Sequence, residues 1–332
     1  MTTTKSYTEQ YKDIVNDVLE NGKQDEASVV RTEWKDGSKA TTISLLNKEI
    51  KFDNNSEEWG LLLSKFVAPK NPFRELRWIW QMKSNNVQKL RDMGCNVWNE
   101  WEIKEGKHKG TIGKAYGFQL ANKKRKVLVD KLMLEMIDNG EICHDGYSYD
   151  SDLFGKLIDN GEVSLGMTIE LDQVDWLLYN LSHPTKKYSR RFVVTLWCVE
   201  DLDEMGLEPC VYETHWQMWD GKLNVTVGIR SNDLALGNPY NIFQYAILHR
   251  MIAQVTGNLA GEICFKIDNA HIYERHVEAI KEQVNSHKEW SKLPVVRLNA
   301  NIESFYDFKE DDLIVINYDK TVAKPYRYEV AI

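Results

Sequence analysis

Residues 230–257 read RSNDLALGNPYNIFQYAILHRMIAQVTG, and the fold turns on this stretch. Its first third is crowded with polar turn formers, while 240–257 is the most apolar helical run of the chain, closed by Gly257. Such a helix is apolar all round, so it belongs in the middle of a core. Before it, CVYETHWQMW (210–219) and KLNVTVGIRS (222–231) flank Asp220-Gly221, the signature of a two-residue β-hairpin. After it, GEICFKID (261–268) reads as a strand and HIYERHVEAIKEQV (271–284) as a helix. Strands lying on both sides of one buried helix predict an α/β or α+β protein.

Further out, residues 6–21 put Tyr7, Tyr11, Ile14, Val15, Val18 and Leu19 on one helical face ahead of Gly22. ASVVRTEW, a Lys-Asp-Gly-Ser turn and KATTISLL predict a hairpin around Asp36-Gly37. Asn71-Pro72 opens a Trp-rich helix, 171–182 forms a short one, RFVVTLWCV (191–199) is a buried strand, and DLIVINY (312–318) is a last strand. No Pro/Gly/Ser-rich linker divides the chain. A single domain is expected, carrying a polar surface insertion at about 121–170 in which Ile-Asp-Asn-Gly-Glu occurs at 137 and again at 158.

Composition excludes several classes. With 332 residues, 42% hydrophobic and 28% charged, the chain is too apolar to be disordered. Fifty acidic against 42 basic side chains give a net charge of −8, a poor match for duplex DNA. No apolar run is long enough to span a membrane, and the N-terminus lacks a secretory apolar core. Five scattered cysteines without a CxxC pair argue against a disulfide framework or structural zinc and for a reducing cytoplasm. The histidines show no metal-ligand spacing, and GxGxxG and GxxxxGK[ST] are absent, so neither a metal nor the common nucleotide loops are expected.

Some residues could nonetheless carry chemistry. Cys210 stands at a strand entrance; a thiol there is usually packing, but Arg230-Ser231 end the neighbouring strand and Arg190-Arg191 lead another. A guanidinium near a thiol favours the nucleophilic thiolate. In 230–241, Arg230 and Ser231 could seat a phosphate, Asn232 and Asn241 could read a base, and Asp233 adds a carboxylate, although turn-making and helix capping would also use these types. An asparagine amide both donates and accepts, which suits the O4 and N3–H of uracil. Glu75, among Leu76, Trp78 and Ile79, is a candidate for a buried carboxyl that shuttles protons. His271 and Tyr273 could bind a hydroxyl.

Together, RELRWIWQMKSNN, GCNVWNEW, GTIGKAYGFQL, YSRRFVVTLW, LEPCVYETHWQMWDGKL, GIRSNDLALGNPYNIFQYAILHRMIAQVTG, HIYERH and the terminal EVAI resemble the thymidylate synthase family over nearly the whole chain except 121–170. PCVYET with Val after the cysteine is similar to its bacterial and phage branch. The resemblance implies an α+β fold, a large twisted mixed sheet backed by helices, and a homodimer packed through its sheets. It implies one-carbon transfer from 5,10-methylenetetrahydrofolate to C5 of dUMP, with no metal. Cys210 would add to C6. Arg31, Arg230 and Ser231 would hold the 5′-phosphate, joined by Arg190 and Arg191 of the second subunit. Asn241 would read uracil, and His271 with Tyr273 would bind the ribose. Glu75 and Tyr116 would move protons. Asp233 would anchor the pterin, with Lys65, Trp98, Leu207, Gly237 and the C-terminal Ile332 around the folate.

Departures from the family pattern open a fork. Leu63-Ser64-Lys65-Phe66 replaces the usual Thr-Thr-Lys-basic run, Asp268-Asn269 stands where Gly-Asp is usual, Asn99 replaces Asp and His215 replaces Gln. Hydride quenching of the C5 methylene gives dTMP, whereas water gives 5-hydroxymethyl-dUMP. The retained Trp98 and VAI terminus, which shield that carbon from water, put thymidylate synthase ahead of dUMP hydroxymethylase. Relatives that use cytosine carry Asp where this chain has Asn241. A non-catalytic nucleotide- or RNA-binding relative is disfavoured because Cys210, Arg230 and Asn241 are all present.

Overall fold

A computed structural model describes residues 5–55, 59–142, 165–286 and 290–332. The two halves of the predicted hairpin are strands β6 (Val211–Trp219) and β7 (Lys222–Ile229), turned by Asp220 and Gly221, both at positive φ (50° and 73°). Two consecutive left-handed residues match the right-handed twist of the flanking strands, which is why Asp-Gly sits there. The hairpin lies inside a sheet of order β1-β2-β9-β7-β6-β5, with β8 beside β9. Its other members are β1 (Lys23–Gln24), β2 (Thr42–Asp53), β5 (Phe192–Thr195), β8 (Asn232–Asp233) and β9 (Leu259–Tyr273). β7 and β8 run parallel to β9, while β2, β6 and β5 pair antiparallel to their neighbours. The sheet is therefore mixed, as the resemblance implies, and the fold is α+β.

Leu223, Val225, Val227 and Ile229 of β7 alternate with Ile263, Phe265 and Ile267 of β9 on the covered face. The helix Gly237–Val255 fills that face; Ile242, Phe243, Ala246, Ile247, Leu248, Met251 and Ile252 are all buried. Its His249 Nε2 donates to the Leu223 carbonyl (2.7 Å), tying the helix to β7. The N-terminal helix Tyr7–Asn21 buries the predicted Tyr7, Tyr11, Ile14, Val15 and Val18. The opposite face of the sheet keeps Glu49, Lys266, Thr226, His215 and Trp219 partly or fully exposed. Among the described residues, no helix is long and apolar enough to cross a membrane.

Four expectations need correction. β9 runs to Tyr273, so His271 and Tyr273 lie within the strand and the following helix begins only at Val277. The helical periodicity of HIYERH loses because β2 and β8 supply backbone partners on both sides of 270–271. The buried strand expected at 191–199 is shorter, Phe192–Thr195. The tail strand forms but is shorter than the 312–318 expected, Leu313–Ile316, and it pairs with Val295–Leu298. Finally, the turn at Asp36-Gly37 forms, but the arm before it is irregular: Glu33 gives its N–H and C=O to the backbone of Ile332 at 2.7 and 2.9 Å. Of the region 121–170, strands Arg125–Leu128 and Thr168–Leu171 pair, and helix Lys131–Asp138 packs beside them in a small apolar cluster of its own. Cys143 and the second Ile-Asp-Asn-Gly-Glu copy lie outside the described residues.

One close approach positions the site. A methyl placed on Gly117 would meet the Ser84 backbone O at 2.4 Å and N at 2.5 Å, so only glycine lets the chain after Tyr116 lie against 83–84. We expect Gly117→Ala to cost about 1–3 kcal/mol of stability through overpacking, read as a lowered Tm, and to displace Tyr116 enough to cut turnover more than the Tm loss explains. A variant with unchanged Tm and turnover would show that this contact does not matter.

Candidate active site

The polar end of the sheet gathers the predicted residues by register. Strand β6 carries a β-bulge between Val211 and Glu213. The pairing Glu213↔Gly228 shifts to Val211↔Ile229, and one step further the Arg230 N–H donates to the Cys210 carbonyl at 2.9 Å. A one-residue shift exchanges the faces of a strand, so the bulge decides which side of the sheet Cys210 and Arg230 address. On the next strands, Asp233 of β8 pairs with His271 of β9. Cys210, Arg230, Ser231, Asp233, His271 and Tyr273 thus line up across one edge of the sheet.

Cys210 is half-buried at the entrance of β6. Burial pushes its pKa up; the Arg230 guanidinium pulls it down, Asp233 and Glu75 oppose that, and the Tyr116 hydroxyl favours the thiolate. Arg230 is held in place by donating to the carbonyls of Pro209 (2.9 Å) and Glu208 (2.8 Å) and by lying over the Trp197 ring. Tyr116 sits at φ 48° and accepts the Cys210 N–H at 3.0 Å. Its hydroxyl therefore touches the segment that would bear the nucleophile, and burial keeps it protonated.

Glu75 occupies the last turn of the helix Lys70–Leu76, directly before the chain widens into a π-type turn, Arg77–Gln81. Such wide turns aim side chains at functional sites. The indole of Trp98 donates to one carboxylate oxygen (2.5 Å) and the amide of Gln244 to the other (3.0 Å). The carboxylate keeps an opening to solvent, but packing on its other sides pushes its pKa up to about 7, the two hydrogen bonds pulling the other way. Near neutrality it can hold or release a proton, as a general acid or base must.

The central helix supplies Asn241 and Gln244, three residues apart and on one face. Asn241 accepts from the Asn232 amide at 3.3 Å. Asp233 accepts the N–H groups of Ala235 and Leu236 (2.8 and 3.2 Å). Gly237 lies against both, since a methyl there would be 3.7 Å from Asn241 Oδ1 and 3.8 Å from Asp233 Cβ. His271 is buried, which pushes its pKa down, with Asn269 Oδ1 at 2.9 Å from its Nδ1 and Tyr273 edge-on. Asn269, one of the departures, is therefore the residue that orients this ring.

The remaining predicted residues lie around this row or beyond it. Arg31 is exposed beside the Glu33–Ile332 pairing. Lys65 is buried, donating to the Ala235 carbonyl (2.6 Å) and lying over the Tyr328 ring, with burial pushing its pKa down to about 8. Its ammonium faces the Asp233 loop rather than solvent. Trp98 is buried among Trp78, Trp101 and Tyr116, and Leu207 packs on the core. Arg190 and Arg191 are exposed ahead of β5, whose Phe192 pairs with Trp216. Trp216 is six residues from Cys210, or roughly 20 Å along a strand. Within one chain these arginines do not reach the thiol. Asn232, read from sequence as base-reading, is buried instead and touches the base candidate Asn241. Sequence reasoning missed Gln244 and Trp98 as partners of Glu75, because nothing in their spacing reveals which side chains meet across a bundle of helices. Among the described residues no group of three His, Cys, Asp or Glu side chains could hold a metal ion.

A thiol beside an arginine, an amide on the central helix and a carboxyl poised near neutrality suit a nucleotide-modifying transferase site. The family model for thymidylate synthase matches residues 9–332. Thymidylate synthases of Bacillus licheniformis and of Bacillus phage phi3T are each 41% identical over 313 residues, covering 94% of this chain and 95% of theirs. The thermostable thymidylate synthase A of Bacillus subtilis superposes with a TM-score of 0.77 at 38% identity, over 98% of this chain and 99% of that one. The chain belongs to the thymidylate synthase family.

The sign of the Glu75 shift gives a test. A carboxyl whose pKa rises from 4.5 to about 7 on folding stabilises the fold when protonated, and that contribution is lost as pH climbs through this window. Glu75→Gln cannot lose it. The Tm of this variant relative to wild type should therefore increase as pH is raised from 4.5 to above 7; a pH-independent difference would contradict the burial assigned to Glu75.

Proposed function

We propose that this chain methylates dUMP to dTMP, taking the one-carbon unit and then hydride from methylenetetrahydrofolate, through a covalent bond between Cys210 and C6 of the base. The observation that carries the reading is Cys210 set opposite Arg230 by the bulged hairpin, with Glu75, Tyr116 and Asn241 around it. The folate supplies the carbon and the reducing equivalent; the chain supplies everything that positions and moves protons. Cys210 Sγ, as thiolate, bonds to C6, and the electron pair released makes C5 nucleophilic. Asn241 donates to O4, where negative charge develops, and accepts N3–H. Glu75 exchanges a proton with O4 through water, and the neutral Tyr116 hydroxyl assists removal of the C5 proton by orienting the water that takes it. C5 bonds to the folate methylene carbon, and loss of the C5 proton expels the folate nitrogen to leave an exocyclic methylene. Hydride from that folate reduces the methylene, the electron pair returns to the ring as Sγ leaves C6, and dTMP is released with dihydrofolate.

Arg230, Ser231 and Arg31 seat the 5′-phosphate, and His271 with Tyr273 the ribose hydroxyl. Asp233, held against its own loop, anchors the pterin; Gly237, Leu207 and Trp98 wall the folate. Lys65 braces the Asp233 loop from behind, and Ile332, paired with Glu33, closes the cleft near the phosphate. The buried Trp98 and the paired C-terminus keep water from the methylene, which favours dTMP over 5-hydroxymethyl-dUMP. The polar, uncovered sheet face and the distance of Arg190 and Arg191 from Cys210 support a homodimer in which each subunit lends these arginines to the other. The reaction takes place in the cytoplasm, consistent with four described cysteines all being free.

Cys210→Ala should abolish dihydrofolate production while dUMP still binds within a few-fold of wild type. Mixing it with an inactive Arg190→Ala, Arg191→Ala double variant should restore turnover, because one hybrid site then holds an intact thiol and intact arginines. Turnover by Cys210→Ala refutes the nucleophile, and failure of the mixture refutes the shared site.

A further inference from the structure

Behind Asn241 lies a line of buried amides that the reaction above does not use. The Tyr7 hydroxyl donates to Asn238 Oδ1 at 2.8 Å, Asn238 Nδ2 donates to Asn232 Oδ1 at 2.6 Å, and Asn232 Nδ2 donates to Asn241 Oδ1 at 3.3 Å. Tyr7, Asn232 and Asn238 are 3%, 1% and 0% exposed, so no solvent competes for these bonds. Tyr7 opens the N-terminal helix, and its ring is clamped by Tyr11 and Phe52. Each amide passes the same polarity onward: its carbonyl receives and its NH₂ gives.

A primary amide turned by 180° keeps its shape but exchanges donor and acceptor. Uracil offers an acceptor at O4 and a donor at N3–H; cytosine offers a donor at its 4-amino group and an acceptor at N3. One orientation of Asn241 therefore fits uracil, and the flipped one fits cytosine. With Oδ1 fixed toward Asn232, which leaves its second lone pair for N3–H, Nδ2 is the group presented to the 4-position. Flipping would set two NH₂ groups against each other inside the protein, leaving buried donors unpaired.

We propose that Tyr7, Asn238 and Asn232 are positioning residues that lock Asn241 in the uracil-reading orientation and so set the preference for dUMP over dCMP. The inference rests on Asn241 reading the base. It assigns a role in specificity to a tyrosine 234 positions away in sequence from the base-reading residue, at the start of the N-terminal helix.

Asn232→Asp inverts the last link, because a carboxylate accepts from both Asn238 and Asn241 and turns Asn241 Oδ1 toward the 4-position. Both hydrogen bonds of Asn241 to the base then favour cytosine, so the ratio of dCMP to dUMP dissociation constants, measured by calorimetry on the full chain, should fall roughly 10- to 100-fold. Tyr7→Phe removes only a hydroxyl, preserves the packing, and should lower the ratio about 2- to 5-fold. It keeps the test decisive if the aspartate variant folds poorly. A merely structural role would weaken both nucleotides together and leave the ratio unchanged, which overturns the proposal. Asn241→Ala separates the two levels. If it erases the preference while Asn232→Asp and Tyr7→Phe keep it, Asn241 reads the base but the relay does not set it. If Asn241→Ala also keeps the preference, the base reading itself fails.

Discussion

The backbone bond from Arg230 N–H to the Cys210 carbonyl is the constraint on which the site depends. It exists because a bulge at the entrance of β6 moves the hairpin register by one residue. Two consequences follow from that single step. A thiol and a guanidinium from residues 20 apart in sequence come to sit on neighbouring strands. The cation meets a group that burial otherwise keeps protonated. Further along the same edge, β8 and β9 add Asp233 and His271 in register. The large apolar helix then brings Asn241 and Gln244 down onto this row from one side, and Gln244 carries Glu75 with it.

The opposing electrostatics are instructive. Glu75 and Asp233 both raise the thiol pKa, and Arg230 with Tyr116 lower it. A carboxyl with a pKa near 7 is half neutral at working pH, so its pressure on the thiolate is relieved whenever it is protonated. The protein as a whole is acidic, yet its phosphate candidates are arginines, placed where the average charge has little influence. Charge composition speaks against duplex DNA at the surface and says nothing about a cleft.

Much of this was legible in the chain. Asp220-Gly221 announces the hairpin, the unbroken apolar run 240–257 announces the central helix, and the face Tyr7–Val18 announces the first helix, because turn chemistry and periodicity are local properties. What was hidden depends on partners distant in sequence. HIYERH reads as helical until β2 and β8 claim its backbone. The bulge leaves no compositional trace, and Asn232 looks like a surface base reader until Asn238 and Tyr7 bury it. The resemblance puts Lys65 beside the folate, but nothing in the chain announces the Ala235 carbonyl and Tyr328 ring that hold its ammonium inside. Individual site residues were identifiable by type; their assignments to one another were not.

The central claim is that Arg230, set across the hairpin, makes Cys210 reactive. Its direct measurement is the rate of iodoacetamide alkylation of the Cys210 peptide as a function of pH, read by mass spectrometry in wild type and Arg230→Met. With the guanidinium removed, the remaining neighbours and burial all oppose ionisation except the Tyr116 hydroxyl, so the inflection should move to higher pH and the rate at neutral pH should fall. Superimposable profiles for the two proteins would mean that Arg230 does not govern the thiol, and the account of the site would be wrong at its root.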